Sequence, residues 1–176
     1  MSSITMSEMT SRPFVQDFED LFLQHYELVY RTACVVTGSP EDAEDVLQTI
    51  FLRLLRREVL PDLQENPKGY FYRAAVNVSL TTIRSRRRQI EMAERFEAPV
   101  PSDTGIDETL HKRLVEAIAT LSAHTVEILV LRYVHDYTDA EIATLLGRSR
   151  GTIAVTLFRA RVRLRKLMRA LSGEKV

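Results

Sequence analysis

The chain has 176 residues, of which 45% are apolar and 27% are charged. This composition is typical of one ordinary globular domain or two small ones and excludes a largely disordered chain. The single cysteine, Cys34, excludes an internal disulfide and a four-thiolate zinc site. We expect a cytoplasmic protein without membrane insertion, because the sequence has no signal-peptide core and no apolar run near the ~20 residues of a membrane span.

Charge is distributed very unevenly along the chain, although the formal net charge is zero. Residues 1–52 contain nine acidic and two basic residues, whereas residues 148–176 contain nine basic residues and one acidic residue. An acidic surface favours a basic protein partner, and a basic surface favours phosphate. The average charge therefore does not exclude a nucleic-acid-binding protein.

Helical periodicity dominates the first half. Apolar residues recur on one stripe of residues 14–36, and Gly38 is expected to end that helix. Ser39 offers an N-cap for a second helix with a proline at its first position and an apolar stripe over residues 43–55. After a proline-containing loop, a third helix is predicted over about residues 70–92.

The middle of the chain lacks periodicity. Residues 98–107 contain two prolines and one glycine, which is typical of a flexible linker. We therefore predict an all-α protein of two small helical domains, over residues 14–95 and 110–172, joined by a linker over residues 96–109. No segment shows the sustained alternation of a β-strand.

Residues 138–168 have the pattern of a helix-turn-helix. Thr138 and Glu141 have the spacing of a capping box, Gly147 ends the short helix, and Ser149 can cap a long basic helix. In this motif the second helix enters the major groove, and its first residues meet base edges. The alternative is a solvated basic face on a helix of the core, but the agreement of cap, turn, stripe and charge favours DNA.

A second basic segment combines aromatic and arginine residues. Residues 70–88 contain three aromatics at their start and a cluster of arginines at their end. Aromatic rings can stack with unpaired bases while arginines contact phosphates. The alternative places some of these rings in the core, which we expect for Phe71.

Residues 41–45 contain four acidic side chains. Because they open a helix, they point in different directions and are poorly arranged to hold a metal. Their spacing leaves open whether they stabilise the helix dipole or bind a basic partner. The four histidines are scattered and Cys34 lies among apolar residues, so we expect no catalytic residue, no metal site and no cofactor.

These signals, in this order, resemble the extracytoplasmic-function sigma factors, the smallest group of the primary-type sigma family. The resemblance covers about residues 14–171. Residues 29–31, 43–48 and 51–52 are similar to the segment that binds the polymerase clamp, and Tyr-Arg-Ala-Ala-Val-Asn at 72–77 is similar to the segment that melts and reads the −10 element. Residues 131–133, 141–143, 146–147, 151–153 and 159–161 are similar to the domain that reads the −35 element.

The resemblance implies a non-enzymatic factor that directs RNA polymerase to promoters, controlled by an anti-sigma factor. Its partners would be the clamp helices and flap of core polymerase, and promoter DNA in duplex and single-stranded form. The polymerase-binding residues would be Glu44, Asp45, Gln48 and Phe51. The −10 residues would be Tyr70, Tyr72, Arg73, Asn77, Thr81, Arg84, Arg86, Arg87 and Arg88. The −35 residues would be Arg148, Arg150, Thr152, Ala154, Val155, Phe158, Arg159 and Arg161.

Three positions depart from the family pattern. Tyr70 replaces a common tryptophan, Thr81 replaces a common acidic or amide residue, and Ala154 replaces a common basic residue. One alternative function is a helix-turn-helix regulator, which would need a sensor or receiver domain in the first half. Another is a helical adaptor whose basic faces bind no DNA.

Overall fold

A computed structural model describes residues 11–56, 63, 65–93 and 106–171. Their regular structure is entirely helical, as the all-α prediction required. The seven longer helices are α1 (Ser11–Thr37), α2 (Pro40–Leu55), α3 (Pro67–Ala93), α4 (Ile106–Ala119), α5 (Ala123–Tyr133), α6 (Asp139–Leu146) and α7 (Arg150–Leu171).

The predicted caps form. The Ser39 hydroxyl accepts a hydrogen bond of 3.2 Å from the Asp42 amide at the start of α2. Thr138 and Glu141 form a capping box at the start of α6, and Gly147 ends that helix at a φ of 61°, a left-handed conformation that favours glycine. These local signals therefore set the helix boundaries as the sequence predicted.

Helices α1, α2 and α3 pack around one core of the first half. Phe51 lies at its centre, with ring centroids 4.8 Å from Phe22 and 5.5 Å from Phe71. Phe71 is fully buried, which confirms its predicted core position. The buried members of this cluster are Val29, Ala33, Ala43, Val46, Ile50, Phe51, Leu54, Leu63, Phe71 and Ala75.

The helix-turn-helix is formed by α6 and α7, which pack on α5. Ile142 of α6, Ile153 and Leu157 of α7, and Ile128 and Leu131 of α5 are buried together. The opposite side of α7 is left exposed. This packing fixes the angle at which α7 leaves the body of the protein.

The two halves of the chain share a packed surface. Residues 94–105, most of the predicted linker, lie outside the described residues, and the helical segment α4 begins at Ile106. Side chains of α3 pack directly on α4 and α5, so α3 is covered on one side by the second half. The division into units 14–95 and 110–172 remains a prediction.

A carboxyl group is buried where α5 meets α3. The Glu127 side chain is 6% exposed; its Oε1 lies 4.0 Å from Arg73 Nε and its Oε2 3.7 Å from His124 Nδ1. Oε1 accepts no hydrogen bond from the described residues. Burial raises the pKa of Glu127 to about 7, although the positive charge of Arg73 opposes this rise.

We expect Glu127→Gln to stabilise the fold at pH 8 by about 1–2 kcal/mol and to change it less at pH 5. The folded pKa lies above the ordinary 4.5, so the carboxyl's favourable contribution is complete below about pH 4.5 and is lost as the pH rises to about 7. Burial lowers the pKa of His135 to about 4, which produces the opposite slope between about pH 4 and 6.5. Denaturant unfolding at both pH values measures the difference.

The comparison of Glu127→Gln with the parent removes the His135 contribution, because both proteins contain that histidine. Glu116→Gln on α4 is the matched control at a partly exposed carboxylate. An equal effect of Glu127→Gln at pH 5 and pH 8 would contradict the prediction.

Candidate nucleic-acid interface

A cleft of about 520 Å³ lies between α2 and α3. It contains Asn77, Thr81 and Arg86, three of the residues predicted to contact −10 DNA. Asn77, Thr81, Ser85 and Gln89 recur every four residues, which places them in a row along one face of α3. The complete lining is Asp42, Arg53, Asn77, Val78, Thr81, Thr82, Ser85, Arg86 and Gln89.

The chemistry of this cleft suits a nucleobase. Asn77 is exposed and its amide offers both donors and an acceptor, while the Thr81 hydroxyl donates to the Asn77 carbonyl at 2.8 Å. Arg86 donates to Asp42 Oδ2 at 2.9 Å, so the carboxylate holds the guanidinium at the edge of the cleft. The arrangement combines an amide for a base edge with a fixed cation for a phosphate.

Arg53 is a cleft residue that the sequence analysis missed. It lies on α2, 24 positions before Asn77, and reaches the cleft only because α2 packs beside α3. A possible signal was the helical phase of α2, in which Arg53 lies off the buried stripe of Ile50 and Leu54.

The structure does not bring all nine predicted −10 residues together. Tyr72 is 2% exposed and packs on His135 and Tyr137, with ring centroids at 4.8 and 6.1 Å. Burial and a hydrogen bond with Tyr137 raise the pKa of Tyr72. Tyr72 therefore contacts the second half of the chain in this arrangement, and not the cleft.

Arg73 and Arg84 also face the second half. Arg73 lies beside Glu127, and Arg84 donates to the carbonyls of Ala119 at 2.9 Å and Leu121 at 2.8 Å. The remaining basic residues lie at the far end of α3, where Arg87 is paired with Glu91 at 2.8 Å and Arg88 is exposed. Tyr70 and Arg73 line a smaller cleft of about 310 Å³ against the turn after α6.

The acidic face of α2 differs from the prediction at one residue. Glu44, Asp45 and Gln48 are exposed, as a docking surface requires. Phe51 is 4% exposed and packs in the core of the first half, so it is not available to a partner. Leu52, which is 50% exposed, supplies the apolar group on this side of α2 instead.

The N-terminal part of α7 presents an open surface. Ser149 caps the helix by accepting from the Thr152 amide at 3.1 Å and lies 2.8 Å from the Thr152 hydroxyl. Val155 is 49% and Phe158 63% exposed. The other predicted −35 residues are also exposed; they are Arg148, Arg150, Ala154, Arg159 and Arg161.

Within the described ranges, no group of three or more His, Cys, Asp or Glu side chains could hold a metal ion. None of the helices in that part of the chain combines the length and apolar character that a membrane span requires.

Two family models match the chain in the order predicted. "Sigma-70 region 2" matches residues 21–89, and "Sigma-70, region 4" matches residues 111–164. An ECF RNA polymerase sigma factor, SigL of Mycobacterium tuberculosis, is 29% identical over 86% of this chain and 88% of its own. The RNA polymerase sigma-E factor of Streptomyces coelicolor is 26% identical over 86% of both chains. The chain belongs to the extracytoplasmic-function sigma factors.

A solved structure has the same fold as this sigma factor. The sigma factor RpoE from Bartonella quintana, determined in complex with the anti-sigma factor NepR, matches with a TM-score of 0.53 at 22% identity. The match covers 88% of this chain and 98% of that one.

The family fixes the general function. As a sigma factor the protein binds core RNA polymerase and promoter DNA through regions 2 and 4 and acts in transcription initiation. The alternative of a regulator with a receiver domain is wrong, because region 2 occupies residues 21–89 and the first half is helical.

Proposed function

We propose that the cleft between α2 and α3 captures a flipped base of the −10 element while the exposed face of α7 reads the −35 duplex. The observation that carries the first part is the row of Asn77, Thr81 and Arg86 in a cleft wide enough for a base. Capture of an extruded base needs only to offset an unstacking cost of a few kcal/mol, so no catalytic group is required. The protein is therefore a specificity subunit and not an enzyme, acting in the cytoplasm with polymerase.

The acidic face of α2 is the proposed dock for the polymerase clamp helices. Glu44, Asp45 and Gln48 project from one exposed side of the helix, next to the exposed Leu52. Carboxylates around an apolar residue suit a basic helical partner. The second domain would contact the flap.

Control by an anti-sigma factor is also proposed. RpoE of Bartonella quintana was solved with such a partner, and this chain has its fold. Pull-down from the native host should recover an inhibitor besides polymerase; recovery of polymerase alone under all growth conditions would contradict this proposal.

The decisive experiment is transcription from a promoter library with purified core polymerase and this protein. We expect transcripts from a subset of templates that share −10 and −35 elements. An equal transcript yield with core polymerase alone would contradict the promoter-directing role, and an unrelated sigma factor controls for library bias.

Charge reversal at Glu44 and Asp45 together should weaken binding to core polymerase by about fivefold. Two exposed ion pairs at a protein interface contribute about 1 kcal/mol in total, since solvent screens them. Titration of fluorescent sigma factor with core polymerase measures the affinity. Reversal of Glu19 and Asp20, exposed acids on α1, is the matched control, and equal affinities for all three proteins would exclude α2 as the dock.

A further inference from the structure

The second half of the chain covers one side of α3, and we call the contact between them the seam. The α3 residues of the seam are almost fully buried, with Val76 and Leu80 at 1% exposure and Ile83 at 6%. They pack in one cluster with α4 and α5 residues, namely Ile118, Leu121, Val126 and Val130. An apolar contact of this depth is a stable packing and not a loose touch.

Hydrogen bonds reinforce the seam. Arg84 donates to two carbonyls between α4 and α5, which it can do only while the halves are in contact. The Thr32 hydroxyl on α1 lies 2.9 Å from His135 Nε2. The other polar contacts are Arg31 to the Val134 carbonyl at 3.1 Å, Asn66 to the Leu145 carbonyl at 2.8 Å and His111 to the Gly38 carbonyl at 3.1 Å.

The apolar centre of the seam is separate from the core of the first half. Val76, Leu80 and Ile83 belong to the cluster shared with α4 and α5, whereas the core of the first half is formed by Phe51, Phe71 and their neighbours. Opening the seam would therefore leave that core intact, at the cost of exposing one face of α3.

The seam also brings the two DNA-reading helices close together. Tyr72 of α3 is packed in the same cluster as Ile153 and Leu157 of α7. At a rise of about 1.5 Å per residue, the cleft residues up to Gln89 lie within about 25 Å of Tyr72 along α3. The reading residues at the start of α7 lie within about 10 Å of Ile153.

This spacing is too short for a promoter. The −10 and −35 elements are about 25 base pairs apart, which at about 3.4 Å per base pair is about 85 Å of duplex. Cleft and reading helix, at most about 40 Å apart in the closed arrangement, cannot contact both elements at once. Each surface is exposed and could meet its element alone.

We propose that the seam holds the free sigma factor in a closed state and that core polymerase binding opens it. Opening separates α3 from α7 and releases Tyr72, Arg73 and Arg84 from the second half. Until then the protein lacks the gain in affinity that comes from binding two linked sites together. This proposal rests on the assignment of the −10 and −35 surfaces given above.

Distances between spin labels test the closed state in the full-length protein. One label is placed at Gln24→Cys on α1 and one at Lys166→Cys on α7, both exposed, in a Cys34→Ala background. We expect one narrow, short distance distribution in the free protein and a shift to much longer distances when core polymerase is added. Free and bound distributions that coincide would overturn the proposal.

Leu80→Asp is the variant that targets the seam. A carboxylate at a position 1% exposed between α3 and the second half should broaden and lengthen the distribution without polymerase. Leu23→Asp, the same replacement at a residue 75% exposed on α1, should keep the short distance. If Leu80→Asp keeps the parental distribution while remaining folded by circular dichroism, the seam does not hold the halves.

The comparison of free with polymerase-bound parental protein decides the matter even if Leu80→Asp does not fold. It also separates this proposal from the site assignments, because the label distance does not depend on which residues read DNA. A shift in distance together with normal transcription by Asn77→Ala would retain the closed state and reject the cleft as the −10 pocket.

Discussion

Asn77→Ala is expected to lower open-complex formation by about 10- to 100-fold while leaving the affinity for core polymerase unchanged. A base held in the cleft would be desolvated, and loss of its amide partner would leave its polar edge unpaired at a cost of about 1–3 kcal/mol. Asn77 is exposed on the cleft side of α3, away from the α2 face assigned to polymerase. Permanganate reactivity of thymines in the melted bubble measures the effect.

Asn77→Asp provides the matched comparison for this position. It keeps the size of the side chain and its acceptor but removes the donors and adds a negative charge. We expect it to be as defective as Asn77→Ala if a base accepts from the amide. Unchanged footprints for both variants would place the flipped base elsewhere.

Local signals determined how much of the fold could be predicted from the sequence. Ser39, Thr138 and Gly147 act through hydrogen bonds and backbone angles within a few residues of themselves, so their roles follow from the sequence alone. The order of the helices followed from apolar stripes for the same reason. Family resemblance added the functions of the two halves, which periodicity does not contain.

Tertiary packing determined what could not be predicted. Phe51 and Leu52 are adjacent and both apolar, and only the direction in which α1 and α3 approach α2 makes Phe51 the buried one. Arg53 enters the cleft because two helices pack side by side. No local signal specifies either outcome.

The seam is the largest feature that the sequence left open. Val76, Leu80 and Ile83 lie on one side of a helix whose other side carries Asn77 and Thr81. An apolar stripe predicts that a helix face is buried, but it does not say which part of the chain covers it. The sequence therefore predicted two domains and a linker, while the structure packs the second half against α3.

Two arginines of α7 should differ in their contribution to −35 recognition. Val155, Phe158, Arg159 and Val162 share one exposed face, because they follow each other at intervals of three and four residues. Arg163 instead donates to the Thr120 carbonyl at 3.2 Å, which turns its guanidinium toward the body of the second half. Arg159 is therefore placed to reach a base edge in the major groove, and Arg163 is not.

Arg159→Ala should cost about 1–3 kcal/mol in binding of the preferred promoter and relax sequence preference at one −35 position, since arginine commonly pairs with the edge of a guanine. Arg163→Ala, the matched control on the same helix, should weaken all sequences alike or leave binding unchanged. A selection on promoters randomised across the −35 element, carried out with polymerase holoenzyme containing each variant, gives both quantities. If Arg159→Ala keeps the parental preference while Arg163→Ala loses it, a different face of α7 enters the groove. Ala154 and Val155 on the adjoining surface cannot donate hydrogen bonds from their side chains but can contact a thymine methyl, so the rest of the preferred element should be rich in A·T pairs.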